Sequence, residues 1–141
     1  MTETRLEAAP RPIAERLFRD APDGPHLLAG RCIACGQLHF PRGPVCPYCA
    51  ADDPDERPVG PTARLWLFTA VTSRPPGYRG PLPFGFGIVE LDGGLRVVAR
   101  LTEADVTRLR PGLPMRLVLE PLHTDDDGRP VVSYAFRPEA S

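Results

Sequence analysis

The chain has 141 residues, 42% of them hydrophobic and 25% charged, and a formal net charge of -1. That length argues for one domain, or for a small module with an appendage. The near-zero charge excludes a strong overall field towards nucleic acid or an anionic membrane. All 17 basic residues are arginine, which excludes a lysine Schiff base and a lysine-bearing phosphate loop.

Glycine and proline are abundant, at 13 and 19 residues. Leu, Ile, Val and Phe still supply about a quarter of the chain, above the roughly 20% below which disorder is expected. The pattern predicts a folded, turn-rich and mainly β protein. The longest apolar stretch, Leu65 to Val71, has seven residues. A helical bilayer span needs about 20, so no membrane partner is expected. The polar start, Met1 to Pro10, lacks a secretory core, and the expected compartment is the reducing cytoplasm.

Residues 1–25 read as a polar tail and one short helix. Pro12 suits a first helical turn. Ile13, Leu17 and Phe18 recur at helical spacing, and the run Ala21-Pro22-Asp23-Gly24-Pro25 ends the segment. A helix this short must rest on its own chain or on a partner. Residues 26–50 carry all four cysteines. Residues 51–63 are acidic, proline-rich and aperiodic, which reads as a linker.

Residues 64–138 carry strand signals at Arg64–Ser73, Phe84–Leu91, Leu95–Leu101, Met115–Glu120 and Arg129–Phe136. Asp92-Gly93-Gly94 marks a hairpin and Asp127-Gly128 a second turn. Thr102 to Arg110 reads as a short helix with Thr102 as cap, stopped by Pro111-Gly112. Five strands with a helix between the third and fourth suit the five-stranded barrel called the OB-fold. A small sandwich is the alternative.

The cysteines fall at Cys32, Cys35, Cys46 and Cys49. Two thiolates three positions apart on a tight turn can face one ion. Gly36 after the first pair permits a positive φ, and Pro47 stiffens the second turn. Four thiolates fill a tetrahedral zinc site and leave no open position, so the expected cofactor is structural zinc. Iron is accepted by the same ligands. Two disulfides, or free thiols, are the bland alternative. His39, between the pairs, reads as a surface or packing residue.

The remaining chain offers no nucleophile elbow, calcium loop or phosphate loop, so no catalytic residue is assigned. Gly85 and Gly87 read as strand glycines that mark a bulge or a close backbone approach. The loop from Arg74 to Phe84 displays Tyr78 between Arg74 and Arg79. Two arginines there could hold phosphates, as on coenzyme A, by bidentate hydrogen bonds. A merely solvated loop is the alternative. Trp66, Phe68, Phe84 and Phe86 are candidate platforms for single-stranded nucleic acid. Their i, i+2 spacing equally suits core residues, and the charge footprint is weak.

Taken together, Leu28 to Gly36, Phe40-Pro41-Arg42, Cys46 to Cys49, Phe86 to Gly94, Pro111 to Met115 and Tyr134 to Pro138 resemble a known family. Its members carry a rubredoxin-like zinc ribbon followed by an OB-fold, and occur beside acyl-CoA enzymes. The resemblance implies zinc on the four cysteines. It also implies a non-catalytic accessory role in a hetero-oligomer with a thiolase-fold enzyme: a thiolase, a lipid-transfer-protein-like aldolase or a hydroxymethylglutaryl-CoA synthase. An acyl-CoA contact at Arg74, Tyr78 and Arg79 would fit that role. The rival expectation is a single-stranded nucleic-acid-binding OB-fold module.

Overall fold

A computed structural model describes residues 9–139. The first eight residues of the expected tail lie outside the described residues. Ten strands form two sheets. Five of them, β6 (Thr62–Val71), β7 (Phe84–Glu90), β8 (Arg96–Leu101), β9 (Pro114–Thr124) and β10 (Pro130–Pro138), close into a barrel. The ring runs β6-β7-β8-β10-β9 and returns to β6, antiparallel except for one parallel contact between β10 and β8 at Phe136 and Leu101. Period-2 alternation builds it: Ala63, Leu65, Val89, Val97, Ala99 and Leu101 point inward and are buried. This is the expected OB-fold.

Two short strands lie before residue 25: β1 (Arg11–Pro12) and β2 (Phe18–Ala21). They replace the helix expected before residue 25. The Ile13 N–H donates to the Val132 carbonyl at 2.8 Å, and β1 lies parallel on β10. Arg16 takes a positive φ of 62°, which breaks any helical turn. Phe18 to Ala21 then pair with β3 (Gly24–Arg31). Tertiary pairing decides the conformation of a segment too short to hold a helix by itself.

The second sheet is centred on β3, flanked by β2, β4 (Leu38–His39) and β5 (Asp55–Val59). The expected linker is corrected here, because residues 55–59 are a strand. Its charged residues stay exposed and only Val59 enters the core, at 1% exposure. The β3 backbone, rather than an apolar pattern of its own, recruits β5. Gly60, at φ 91°, and Pro61 then turn the chain directly into β6.

The other expected helix is also corrected. Among residues 102–110 only Val106–Arg108 form a 3-10 turn. The Thr102 N–H is taken by the Phe136 carbonyl at 2.9 Å, which holds residue 102 to the sheet. Asp105, not Thr102, caps the turn and accepts from the Thr107 N–H at 3.0 Å.

One apolar cluster serves both sheets. Leu27 and Ala29 of β3 and Val59 of β5 pack with Leu65, Val89, Leu101, Met115, Leu117 and Phe136 of the barrel. The ribbon sheet therefore lies against the barrel over a common core.

Gly87 sits where a Cβ would strike the Leu67 carbonyl oxygen of the neighbouring strand. Gly87→Ala should lower unfolding free energy by about 2–3 kcal/mol, measured by urea denaturation. Asp125 bridges the β9–β10 hairpin to β1. It accepts from Arg11 Nε at 2.6 Å and from the Arg129 and Asp127 N–H groups. The Arg11 hydrogen bond, with those backbone donors, holds its carboxyl below the ordinary 3.8. A lowered native value adds stability above the unfolded carboxylate value, and that stability is lost as pH falls through the native one. Asp125→Asn should therefore lower Tm at pH 7, with the gap closing as acid protonates the wild-type carboxylate.

Candidate metal centre

The four cysteine sulfurs lie within 4.8 Å of one another and form a group able to hold a metal ion. Cys32 and Cys46 are buried at 2% and 1%, whereas Cys35 and Cys49 face solvent. Two turns of the same design present them. In the first, the Gly36 N–H bonds the Cys32 carbonyl at 2.9 Å and the Cys32 N–H bonds the Gln37 carbonyl at 3.1 Å. In the second, the Ala50 N–H bonds the Cys46 carbonyl at 2.9 Å and the Cys46 N–H bonds the Ala51 carbonyl at 2.8 Å. Gly36 and Ala50 occupy the same left-handed position, at φ 76° and 65°. The glycine does so freely, while the alanine carries a Cβ penalty.

Backbone N–H groups point at the sulfurs. Cys32 Sγ accepts from Ala34 and Cys35 at 3.3 Å each, and Cys46 Sγ accepts from Tyr48 at 3.4 Å. The Cys35 and Ala34 donors, with help from the Cys49 thiol, bring the Cys32 thiol down to about 6. Cys49 receives the Ala51 N–H, yet its contact with Cys32 and partial desolvation of its sulfur push it up to about 12. The ion-free cluster thus favours the Cys32 thiolate and keeps Cys49 protonated beside it. A bound dication favours the thiolate form of all four ligands. Four sulfurs complete a tetrahedron, so the chemistry available here is structural.

His39 is buried at 4% and packs against Gly30. It is a packing residue and stands outside the sulfur group.

The Arg74–Phe84 loop is braced from within. Arg74 Nη1 donates to the Tyr78 and Gly80 carbonyls at 3.2 and 3.0 Å, and its guanidinium lies over the Tyr78 ring. The Tyr78 hydroxyl donates to the Pro81 carbonyl at 2.8 Å. Arg79 reaches the Thr124 carbonyl at 3.3 Å and Asp126 at 3.7 Å. The three residues are gathered on one loop, with several donors engaged by protein acceptors.

The four candidate aromatic platforms separate. Phe84 is buried and Phe68 packs against the core, while Trp66 and Phe86 are exposed. Arg96 lies 3.6 Å above the Trp66 ring. Sequence reading missed a row beside them: Leu67 on β6 pairs with Ile88 on β7, which pairs with Val98 on β8. The adjacent valines Val97 and Val98 carried the signal, since alternation must turn one of them outward.

Cys46→Ser should abolish stoichiometric metal binding, measured by metal analysis. Amide-exchange protection should fall across residues 32–53 and persist in β6–β10. Full metal content with unchanged thermal stability would refute the four-sulfur site.

Two family models match the chain: the rubredoxin-like zinc ribbon domain of ChsH2 over residues 19–55, and the C-terminal OB-fold domain of ChsH2 over residues 56–120. A DUF35 domain-containing scaffold protein of Pyrococcus furiosus is 28% identical, over 87% of this chain and 90% of that protein. The benzoylsuccinyl-CoA thiolase subunit BbsA of Thauera aromatica is 31% identical, over 80% and 76%. A probable enoyl-CoA hydratase alpha subunit of Thermomonospora curvata is 31% identical, but the chain spans only 42% of its length. Among solved structures, the Ltp2-ChsH2(DUF35) aldolase aligns with a TM-score of 0.59 and 29% identity, over 80% of this chain and 84% of that one. The ribbon match and the converging sulfurs make zinc the cofactor. The chain belongs to the ChsH2-type family, in which a rubredoxin-like zinc ribbon is followed by an OB-fold domain.

Proposed function

We propose that the protein is a non-catalytic, zinc-containing accessory subunit of a thiolase-fold enzyme that processes acyl-CoA. The carrying observation is that the same ribbon-and-barrel unit occurs in a thiolase subunit and in an aldolase bearing the ChsH2 name, with most of this chain aligned to each. The closed four-sulfur site agrees with it, because a filled tetrahedron supports structure rather than turnover. In this reading the protein works in the cytoplasm, where its thiolates stay reduced, and the enzyme partner owns the nucleophile.

An acyl-CoA contact at Arg74, Tyr78 and Arg79 belongs to the same proposal. The Arg79 side chain, 53% exposed, keeps donors that could meet a phosphate. The rival reading, a single-stranded nucleic-acid module, draws on Trp66 and Phe86, two exposed aromatics on an OB barrel. The net charge of -1 weighs against it.

Native purification from the host organism tests the proposal. A thiolase-fold enzyme, identified by mass spectrometry, should co-elute in fixed stoichiometry. Recovery as a lone monomer at every concentration would overturn the subunit reading. In the complex, Arg79→Ala should weaken acyl-CoA binding several-fold, and an unchanged Kd would remove the loop from the acyl-CoA site. Salt-sensitive micromolar oligonucleotide binding by the isolated chain would favour the rival.

A further inference from the structure

The outer face of β6–β7–β8 carries an apolar row where the solvated side of an antiparallel barrel is ordinarily polar. Leu67 and Val98 are 52% and 53% exposed, with the half-buried Ile88 between them in register. Phe86 and Trp66 flank the row. Beside Val98 and Phe86 lies a groove of about 550 Å³, whose far wall is built by Ile13, Phe40 and Tyr134. The surface is thus continuous across the barrel, the ribbon and the N-terminal segment.

Charge gives the patch a direction. The only charged residues lining the groove are Arg96 and Arg100. Arg96 stacks on Trp66 with its side chain 48% exposed. Arg100 is 17% exposed and already paired with Glu120, whereas Arg96 is held only loosely by Glu90 at 3.8 Å and stays available to a partner. An apolar centre with Trp and Arg at its border is the anatomy of a protein interface. A small ligand would be enclosed on most sides, whereas this surface spreads over three strands and a neighbouring groove.

We propose that this face docks the enzyme partner, through an apolar segment of that enzyme carrying a carboxylate opposite Arg96. The inference rests on the subunit reading above and names the surface that reading needs.

The test uses the complex of the full chain with its co-purifying enzyme. Val98→Asp and Leu67→Asp place a charge on exposed positions and should leave zinc content and Tm unchanged. Each should weaken the enzyme affinity at least about tenfold, as loss of an interface anchor does. Arg96→Glu should weaken it and reverse its salt dependence. Arg57→Asp, on the exposed face of β5, should have no effect. Unchanged affinity in both apolar-row variants, or equal weakening by Arg57→Asp, would overturn the assignment of the face. So would two results on the isolated chain: self-association abolished by Val98→Asp, or saturable binding of decanoyl-CoA abolished by the same change. Failure to recover any enzyme would instead overturn the subunit reading, and this inference with it.

Discussion

Everything between residues 31 and 54 depends on four sulfurs sharing one small volume. One two-residue strand, β4, and two turns form this region, and besides the cysteines only Leu38 and Phe40 among its large apolar residues pack, half-buried, against the core. Val45, Ile33 and Tyr48 face outward rather than into a core. A segment with so little to bury cannot offset its conformational entropy by burial alone. The ion supplies the missing term, since binding free energy at such a site is folding free energy. The backbone answers the same demand. Each turn aims N–H groups at its sulfurs, and each needs a left-handed residue after its second cysteine.

The ribbon is nevertheless not a bead on a string. Its central strand contributes Leu27 and Ala29 to the cluster that fills the barrel, and β5 adds Val59. The division between the matched domains, at residues 55 and 56, falls at the start of β5 and not in a flexible connector. The order of dependence follows. Zinc holds the knuckles, the knuckles space β3 from β4 and β5, and the sheet so formed packs on the barrel.

What was legible in the sequence was what local spacing dictates. Cys32, Cys35, Cys46 and Cys49 announce their ion because the reverse turn between paired cysteines is itself local. The barrel strands announce themselves by alternation, and Gly87 by its place in a strand with no room for a Cβ. What stayed hidden was set by distant partners. Ile13, Leu17 and Phe18 have helical spacing, but β10 and β3 claim the backbone on either side of them. Residues 55–59 have no apolar pattern, and their strand exists because β3 had an edge to offer. The exposed row on β6 was masked by a register shift between Leu65 and Leu67. There Trp66 and Leu67 both reach the surface, so simple alternation assigns one of them wrongly.

The turn at Gly60 and Pro61 has a mechanical meaning. Two residues separate the last ribbon strand from the first barrel strand, and the packed core bridges the same junction. No lever arm remains about which the halves could swing. A partner gripping one half therefore takes hold of the other at a fixed distance and angle, with little orientational freedom left to freeze on association. The chain behaves as a bracket whose shape is set before it meets anything.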